Sequence, residues 1–204
     1  MKKLMEKRSF IMGIALVLLG AGAVGATDSS TRTQHVQCKG SGTFADGVET
    51  HIDSDGDGQS AVLDQGLENC TTGRFFFQEE VEWIPQPTVT TCPAGTTNEA
   101  HIDPTHGQQR VVFTNEKTSE QLFSKITSAT LCINFSAFPF TLTASGQFAF
   151  IGGTGQYTGA TGAGTFNTAG SYLMFGFKDN IFGGFGQFNF TNAGTLTLPH
   201  DNDE

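Results

Sequence analysis

Phenylalanine recurs at every second position in several segments of this chain, and that spacing constrains the fold more than any other feature. In "TASGQFAF" Phe148 and Phe150 share one face, and in "FGQFNFTN" Phe188 and Phe190 do the same. A period of two residues is typical of strands that bury one face. The chain has 19 Phe against 2 Tyr and 1 Trp. Because a phenyl ring has no polar group to present to water, so many rings require an apolar interior.

The alternating segments predict an all-β fold of roughly eight to ten strands, mostly separated by Gly, Asn, Asp or Pro. A closed antiparallel β-barrel of about eight strands, over a single domain at residues 36–199, would bury the rings and leave no free strand edge. A two-sheet β-sandwich is the alternative. The segment "SEQLFSKI", residues 119–126, is predicted as a short helix.

The ends of the chain predict export. Residues 1–26 combine a basic head, an apolar run and small residues at the end, which are the three regions of a signal peptide. A retained anchor is the alternative, but the run is shorter than the ~18–20 residues that a span needs, so no stable membrane insertion is expected. Residues 27–35 are predicted to be a flexible lead-in and residues 200–204 a solvated acidic tail. We therefore expect an extracellular or periplasmic protein.

The charge of the chain excludes some partners. Its net charge is −9, and four of its 11 Lys and Arg lie in the predicted signal peptide. Nucleic acid and anionic lipid need clustered basic side chains. Neither is therefore expected to bind.

Four cysteines, Cys38, Cys70, Cys92 and Cys132, predict two disulfide bonds, because an even number in an exported chain is typical of a disulfide framework. Three connectivities are possible. We favour Cys38–Cys70 with Cys92–Cys132, since each pair closes a loop of moderate length.

The glycine-rich segment "FIGGTGQYTGATGAGTF", residues 150–166, does not match a nucleotide-binding motif. Its glycine spacing is neither GxGxxG nor a P-loop, and threonine- and aromatic-rich strand material follows it instead of a helix. We expect Gly152 and Gly153 to supply positive φ in a turn, and Gly159, Gly162 and Gly164 to relieve crowding where a strand bends. With Gly155, these residues are predicted to be structural.

The same segment resembles the G-G-T/S-G-x-F/Y-x-G-A-x-G pattern of the allene oxide cyclase and dirigent barrels. It is more similar still to exported bacterial proteins of that barrel type, as are "HIDSDGDG", "TCPAG", "LCINF" and "GTLTLP". The resemblance implies an eight-stranded antiparallel barrel with an apolar cavity, often assembled as a trimer. The plant relatives bind or steer hydrophobic intermediates. Outside the glycine segment the sequences diverge, so no functional residue is carried over.

The segment "DSDGDGQSAVLD" is the best candidate for a metal site. Its acidic residues and one amide have the spacing of calcium-loop ligands, although position 12 is Asp where a bidentate Glu is usual. The candidate ligands are Asp53, Asp55, Asp57, Gln59 and Asp64. A plain acidic turn, which Asp-Gly pairs favour, is the alternative.

Two further acidic patterns could carry chemistry. "ETHID" (Glu49, His51, Asp53) and "EAHID" (Glu99, His101, Asp103, with His106 nearby) would each place Glu, His and Asp on one strand face. Such a cluster suits a transition metal or acid–base work, and solvated strand faces are the alternative.

In "QEEVEW", Glu79, Glu80 and Glu82 are expected on a surface strand. The alternative is that Glu79 faces the barrel interior with a raised pKa and acts as a general acid.

These patterns favour an exported barrel that binds a small apolar ligand or serves a structural role without turnover. A cyclase-, isomerase- or dirigent-like enzyme acting on a hydrophobic intermediate is the first alternative, and a calcium-stabilised structural protein is the second. An ionisable residue among the inward rings would favour the enzyme, and Glu79, Tyr157 and Tyr172 are its candidates.

Overall fold

The computed structural model describes residues 31–45, 61–102, 109–136, 138–178 and 181–199, with the side chains of 173–178 and 181–183 excepted. These residues form ten strands and one short 3-10 helix at Gly155–Tyr157. The strands are β1 (Thr31–Ala45), β2 (Val62–Cys70), β3 (Gly73–Val81), β4 (Ile84–Pro85), β5 (Asn98–His101), β6 (Arg110–Asn115), β7 (Gln121–Asn134), β8 (Phe140–Gly153), β9 (Thr161–Lys178) and β10 (Ile181–Pro199).

Eight of the strands close into an antiparallel barrel. Neighbouring strands follow the order β7-β6-β3-β2-β1-β10-β9-β8, and the pairing of β7 with β8 completes the ring. The prediction of an all-β closed barrel of about eight strands is confirmed. The sandwich alternative is wrong, because one continuous sheet curls back onto itself.

The other two strands extend the barrel wall at one end. β5 and β6 pair with successive halves of the long strand β7, at Asn98↔Ile133 and Arg110↔Lys125. β4 pairs in turn with β5. The described part of the wall beside β7 is therefore made of two separate strands that follow one another along the same edge.

Phenylalanine rings inside the barrel lie opposite glycines on the neighbouring strands. Gly42 is the register partner of Phe188, Phe44 that of Gly186, and Gly66 that of Phe77. A Cβ atom added at Gly42 would lie 2.8 Å from the ring of Phe188. Each glycine thus supplies the space that a ring from the next strand fills.

The two disulfide bonds have the predicted connectivity. Cys38–Cys70 joins β1 to β2, and Cys92–Cys132 ties the segment before β5 to β7. Each bridge stabilises the fold by about 3–4 kcal/mol on a chain-entropy estimate. Two disulfides are typical of an oxidising compartment, outside the cell or in the periplasm.

Two sequence predictions about local structure need correction. Residues 119–126 are not a helix, since β7 begins at Gln121 and the buried residues Leu122, Ser124 and Ile126 alternate with less buried ones. The apolar pair Leu122 and Ile126 has helical spacing, but their strand pairing with β6 and β8 decides the structure. Residues 31–35, assigned to the lead-in, are part of β1 and pair with β10.

The glycine-rich segment makes the connection between β8 and β9. Gly152, Gly155, Gly159 and Gly162 all have positive φ, the conformation that glycine adopts without steric cost. Gly153 does not have positive φ, contrary to expectation. A side chain there would collide with the carbonyl oxygen of Gln121, so close backbone approach requires this glycine.

We predict that Gly66→Ala lowers the free energy of unfolding by about 1–3 kcal/mol, the usual cost of overpacking. A Cβ atom at Gly66 would overlap the carbonyl oxygen of Ser41 and lie 2.7 Å from the Phe77 ring. Urea denaturation followed by circular dichroism measures the change. Gln65→Ala, on the exposed outer face of the same strand, is the control and should change stability by less than about 0.5 kcal/mol. Equal effects of the two substitutions would contradict the packing argument.

Candidate ligand site in the barrel cavity

The barrel encloses a cavity of about 440 Å³. Its walls are mainly aromatic and aliphatic, and volumes of ~300–1,000 Å³ with such walls are typical of small-molecule sites. The phenyl rings that line it are those of Phe44, Phe77, Phe113, Phe135, Phe148, Phe166, Phe188 and Phe190. The single tryptophan, Trp83, lines it as well.

One end of the barrel interior is filled by side chains. Tyr157 is buried there, and its ring lies 6.2 Å from that of Phe75. The Tyr157 hydroxyl accepts a hydrogen bond from Nδ2 of Asn115 at 3.3 Å. Burial raises the pKa of Tyr157. Tyr157 is thus part of the filled end and does not line the cavity, whereas Tyr172, stacked on Phe44 with ring centroids 5.4 Å apart, does.

Two carboxyl groups face the cavity from neighbouring strands. Asp64 on β2 and Glu79 on β3 are direct register partners, and the Cβ atoms of such partners lie about 4.5–5.5 Å apart. Both residues line the cavity. Oδ1 of Asp64 is buried and accepts no hydrogen bond from the described residues. We call these two groups the carboxyl pair.

Burial changes the protonation of the carboxyl pair. It raises the pKa of Asp64 to about 7, and burial together with the charge of Asp64 raises the pKa of Glu79 well above its usual 4.5. Two like charges in an apolar environment disfavour double ionisation. At neutral pH the pair therefore retains at least one proton and can donate as well as accept hydrogen bonds.

The surface expectation is wrong for Glu79 and Glu82, and a general-acid role for Glu79 stays a prediction. Glu79 was expected on a solvated strand face, but Phe75, Phe77, Glu79 and Val81 share the inward face of β3. Glu82, expected at the surface, is also buried, and its carbonyl oxygen accepts a hydrogen bond from Nε2 of Gln109 at 3.2 Å. For Glu79 the surface interpretation is wrong because the inward alternation of Phe75 and Phe77 continues through Glu79.

Glu99 and His101 contact each other on β5, and Glu99, unlike the carboxyl pair, accepts several hydrogen bonds from the protein. Oε1 of Glu99 lies 2.6 Å from Nε2 of His101, and the carboxylate also accepts hydrogen bonds from the amide and hydroxyl groups of Thr90 and Thr91. The hydrogen bonds from Thr91 and Thr90, with a smaller contribution from His101, lower the pKa of Glu99. This carboxylate is fully satisfied by the protein and holds the segment before β5 in place.

Another buried carboxyl, that of Glu68, lies beside the Cys38–Cys70 disulfide. Glu68 is 3% exposed and accepts a hydrogen bond from Nδ2 of Asn192 at 3.1 Å. Burial raises its pKa to about 8, and the hydrogen bond from Asn192 only partly opposes the shift. Asn192 also lines the main cavity, so it connects Glu68 to the ligand space. With Cys38 and Cys70, Glu68 forms the one group of potential metal ligands among the described residues, but both sulfurs are in a disulfide.

Several predicted site residues lie outside the described residues. These are Asp53, Asp55, Asp57 and Gln59 of the candidate calcium loop, with Glu49, His51, Asp103 and His106. The fifth candidate ligand, Asp64, lies on β2 and lines the cavity. The calcium site and the oligomer stay predictions.

Sequence reasoning missed the cavity role of Asp64, Ser124 and Asn192. For Asp64 the sequence contains a signal in its spacing from Cys70. Cys70 is on an inward face because it pairs with buried Cys38, and residues 68, 66 and 64 share that face by the period of two. Ser124 is 1% exposed, and its place inside the barrel follows only from the β7 pairing.

The described fold and site define a class: a closed eight-stranded antiparallel barrel with an internal apolar cavity that holds a carboxyl pair. No protein-family model matches the chain, and no curated protein matches it. Among solved structures it is similar to that of the pterocarpan synthase dirigent protein GePTS1, with 11% identity, 85% of this chain and 90% of that chain covered, and a TM-score of 0.29. No helix in the described ranges is long and apolar enough to cross a membrane.

We predict that stability falls as the pH rises from 5 to 8.5 and that Glu68→Gln reduces this dependence. A carboxyl whose pKa is raised by folding stabilises the folded state fully below its unfolded pKa of 4.5, and this contribution is lost as the pH rises through about 8. At about 1.4 kcal/mol per pKa unit, Glu68 accounts for no more than about 4 kcal/mol over that range.

Urea denaturation at pH 5 and pH 8.5 measures the effect. Glu116→Gln, at a half-exposed surface carboxylate, is the matched control. An unchanged pH dependence in Glu68→Gln would show that Glu68 is not protonated in the folded protein.

Proposed function

We propose that this protein is an exported barrel that binds a small, mostly apolar molecule in its cavity and orients it by one polar group at the carboxyl pair. The observation that carries the proposal is a cavity of about 440 Å³ in which aromatic walls surround two carboxyl groups. Sites of this composition use apolar area for affinity and a few polar groups for orientation. Oδ1 of Asp64, which accepts no hydrogen bond from the described residues, is available to such a group.

Binding of the neutral apolar dye N-phenyl-1-naphthylamine tests the proposal. We expect its fluorescence to rise on addition of the full mature chain. Trp83 lines the cavity and is the one tryptophan of the sequence. Its emission should therefore be quenched by energy transfer to the dye in parallel.

Ala144→Phe should weaken dye binding at least tenfold. Ala144 is buried on β8 and lines the cavity, so a phenyl ring there occupies the ligand space. Thr143→Phe places the same ring on the exposed outer face of that strand and should leave the affinity within twofold. Absence of dye binding to the wild-type chain, or equal affinity in both variants, would refute binding in the cavity.

A second candidate function is acid catalysis of a cyclisation or isomerisation of a hydrophobic molecule. One observation favours it: Asp64 and Glu79 line an apolar cavity, where burial raises the pKa of both carboxyl groups, as a general acid at neutral pH requires. Incubation with the apolar epoxide styrene oxide tests this candidate. Catalysed isomerisation of the epoxide to phenylacetaldehyde, in which one proton is added to the epoxide oxygen and one is returned as the carbonyl forms, supports this candidate if it is lost in Glu79→Gln. Equal rates with and without protein exclude it for this substrate class.

A further inference from the structure

The charge of the cavity wall indicates what kind of polar group a ligand presents. Three carboxyl groups line the cavity, those of Asp64, Glu79 and Glu99, and the described lining residues include no Lys, Arg or His. An anionic ligand would therefore meet the negative charge of Glu99 and of any ionised member of the carboxyl pair, with no cation among the described lining residues to offset it. The cavity wall therefore disfavours the binding of ligands that carry a carboxylate or a phosphate.

The three carboxyl groups differ in how well the protein satisfies them. Glu99 accepts hydrogen bonds from Thr90 and Thr91 and contacts His101, so it needs no further partner. The carboxyl pair receives no such set of donors. Phe44 on β1 is the register partner of Asp64, and Val111 on β6 is that of Glu79, so the flanking strands place apolar side chains directly opposite the pair.

A buried carboxyl that lacks donors is costly, and the cost is removed when a ligand supplies them. An ammonium group has several N–H donors and a positive charge, so it can contact both members of the pair at once. The aromatic walls add to this preference, because the faces of phenyl and indole rings attract cations. Trp83, Phe44 and Tyr172 line the same cavity.

We infer that the cavity selects an apolar amine in its cationic form, with the ammonium group between Asp64 and Glu79 and the hydrocarbon frame among the phenyl rings. This inference rests on the proposed function, since it names the ligand class of the same cavity. A neutral molecule of the same shape fills the apolar part but leaves the carboxyl pair without a counter-charge. The protein therefore distinguishes ligands of equal shape by charge.

Three compounds that share the adamantane cage test the inference by displacement of N-phenyl-1-naphthylamine at pH 7.5. They are 1-adamantanamine, 1-adamantanol and 1-adamantanecarboxylate, which present a cation, a neutral hydroxyl and an anion on one frame. We expect the amine to displace the dye at a concentration at least tenfold lower than the alcohol, and the carboxylate to be weakest.

The double variant Asp64→Asn, Glu79→Gln should bring the amine and the alcohol within threefold of each other. The amine-to-alcohol ratio is taken within the variant, so a change in its dye affinity does not enter the comparison, and residual dye binding reports an intact cavity. Glu116→Gln removes one carboxylate from the outer surface and should keep the full preference for the amine, so it separates the carboxyl pair from the general negative charge of the chain.

The outcomes distinguish this inference from the proposed function. If the alcohol displaces the dye as well as the amine does, or if the double variant keeps the preference for the amine, the amine inference is overturned and binding in the cavity stands. If the dye itself does not bind to the wild-type chain, the proposed function is refuted and the inference with it.

Discussion

The structure depends on the packing of phenylalanine rings over glycines of the adjacent strand. Gly40 is opposite Phe190, Gly146 is opposite Phe166, and Phe148 is opposite Gly164. Glycine weakens an isolated strand because of its backbone freedom. Here a neighbouring ring covers each of these glycines, a contact that compensates for the missing side chain. The packing of each ring on the opposite glycine thus stabilises the pairing of adjacent strands in the barrel wall.

The carboxyl pair lies where this pattern of rings is interrupted. On β2 the inward residues next to Asp64 are Val62 and Gly66, and on β3 Glu79 separates Phe77 from Val81. Neither Asp64 nor Glu79 fills its position as a phenyl ring would, so space remains beside them. Acidic side chains at two positions of the ring-bearing face thus place the polar group in the wall of the cavity.

The sequence predicts the architecture better than the site, for a reason that concerns register. Alternating phenylalanines identify the inward face of a strand without reference to any other strand. The position of Asp64 opposite Glu79 depends instead on how β2 pairs with β3, which follows from the turn at residues 71 and 72 that brings Cys70 opposite Gly73. Thr71-Thr72 is not a strong hairpin signal, and Asp64 also completed an apparent calcium loop, so its role was not predicted.

Three carboxyl groups with raised pKa values in one barrel reduce stability at neutral pH, because Asp64, Glu68 and Glu79 would each ionise more easily in the unfolded chain. Asparagine or glutamine at the same positions would fill similar space without that cost. Local sequence choices that oppose stability concentrate at functional sites in proteins. The disulfides and the ring packing stabilise the barrel enough to hold these groups inside it. The needs of the fold therefore do not explain the carboxyl pair, whereas the proposed ligand site would.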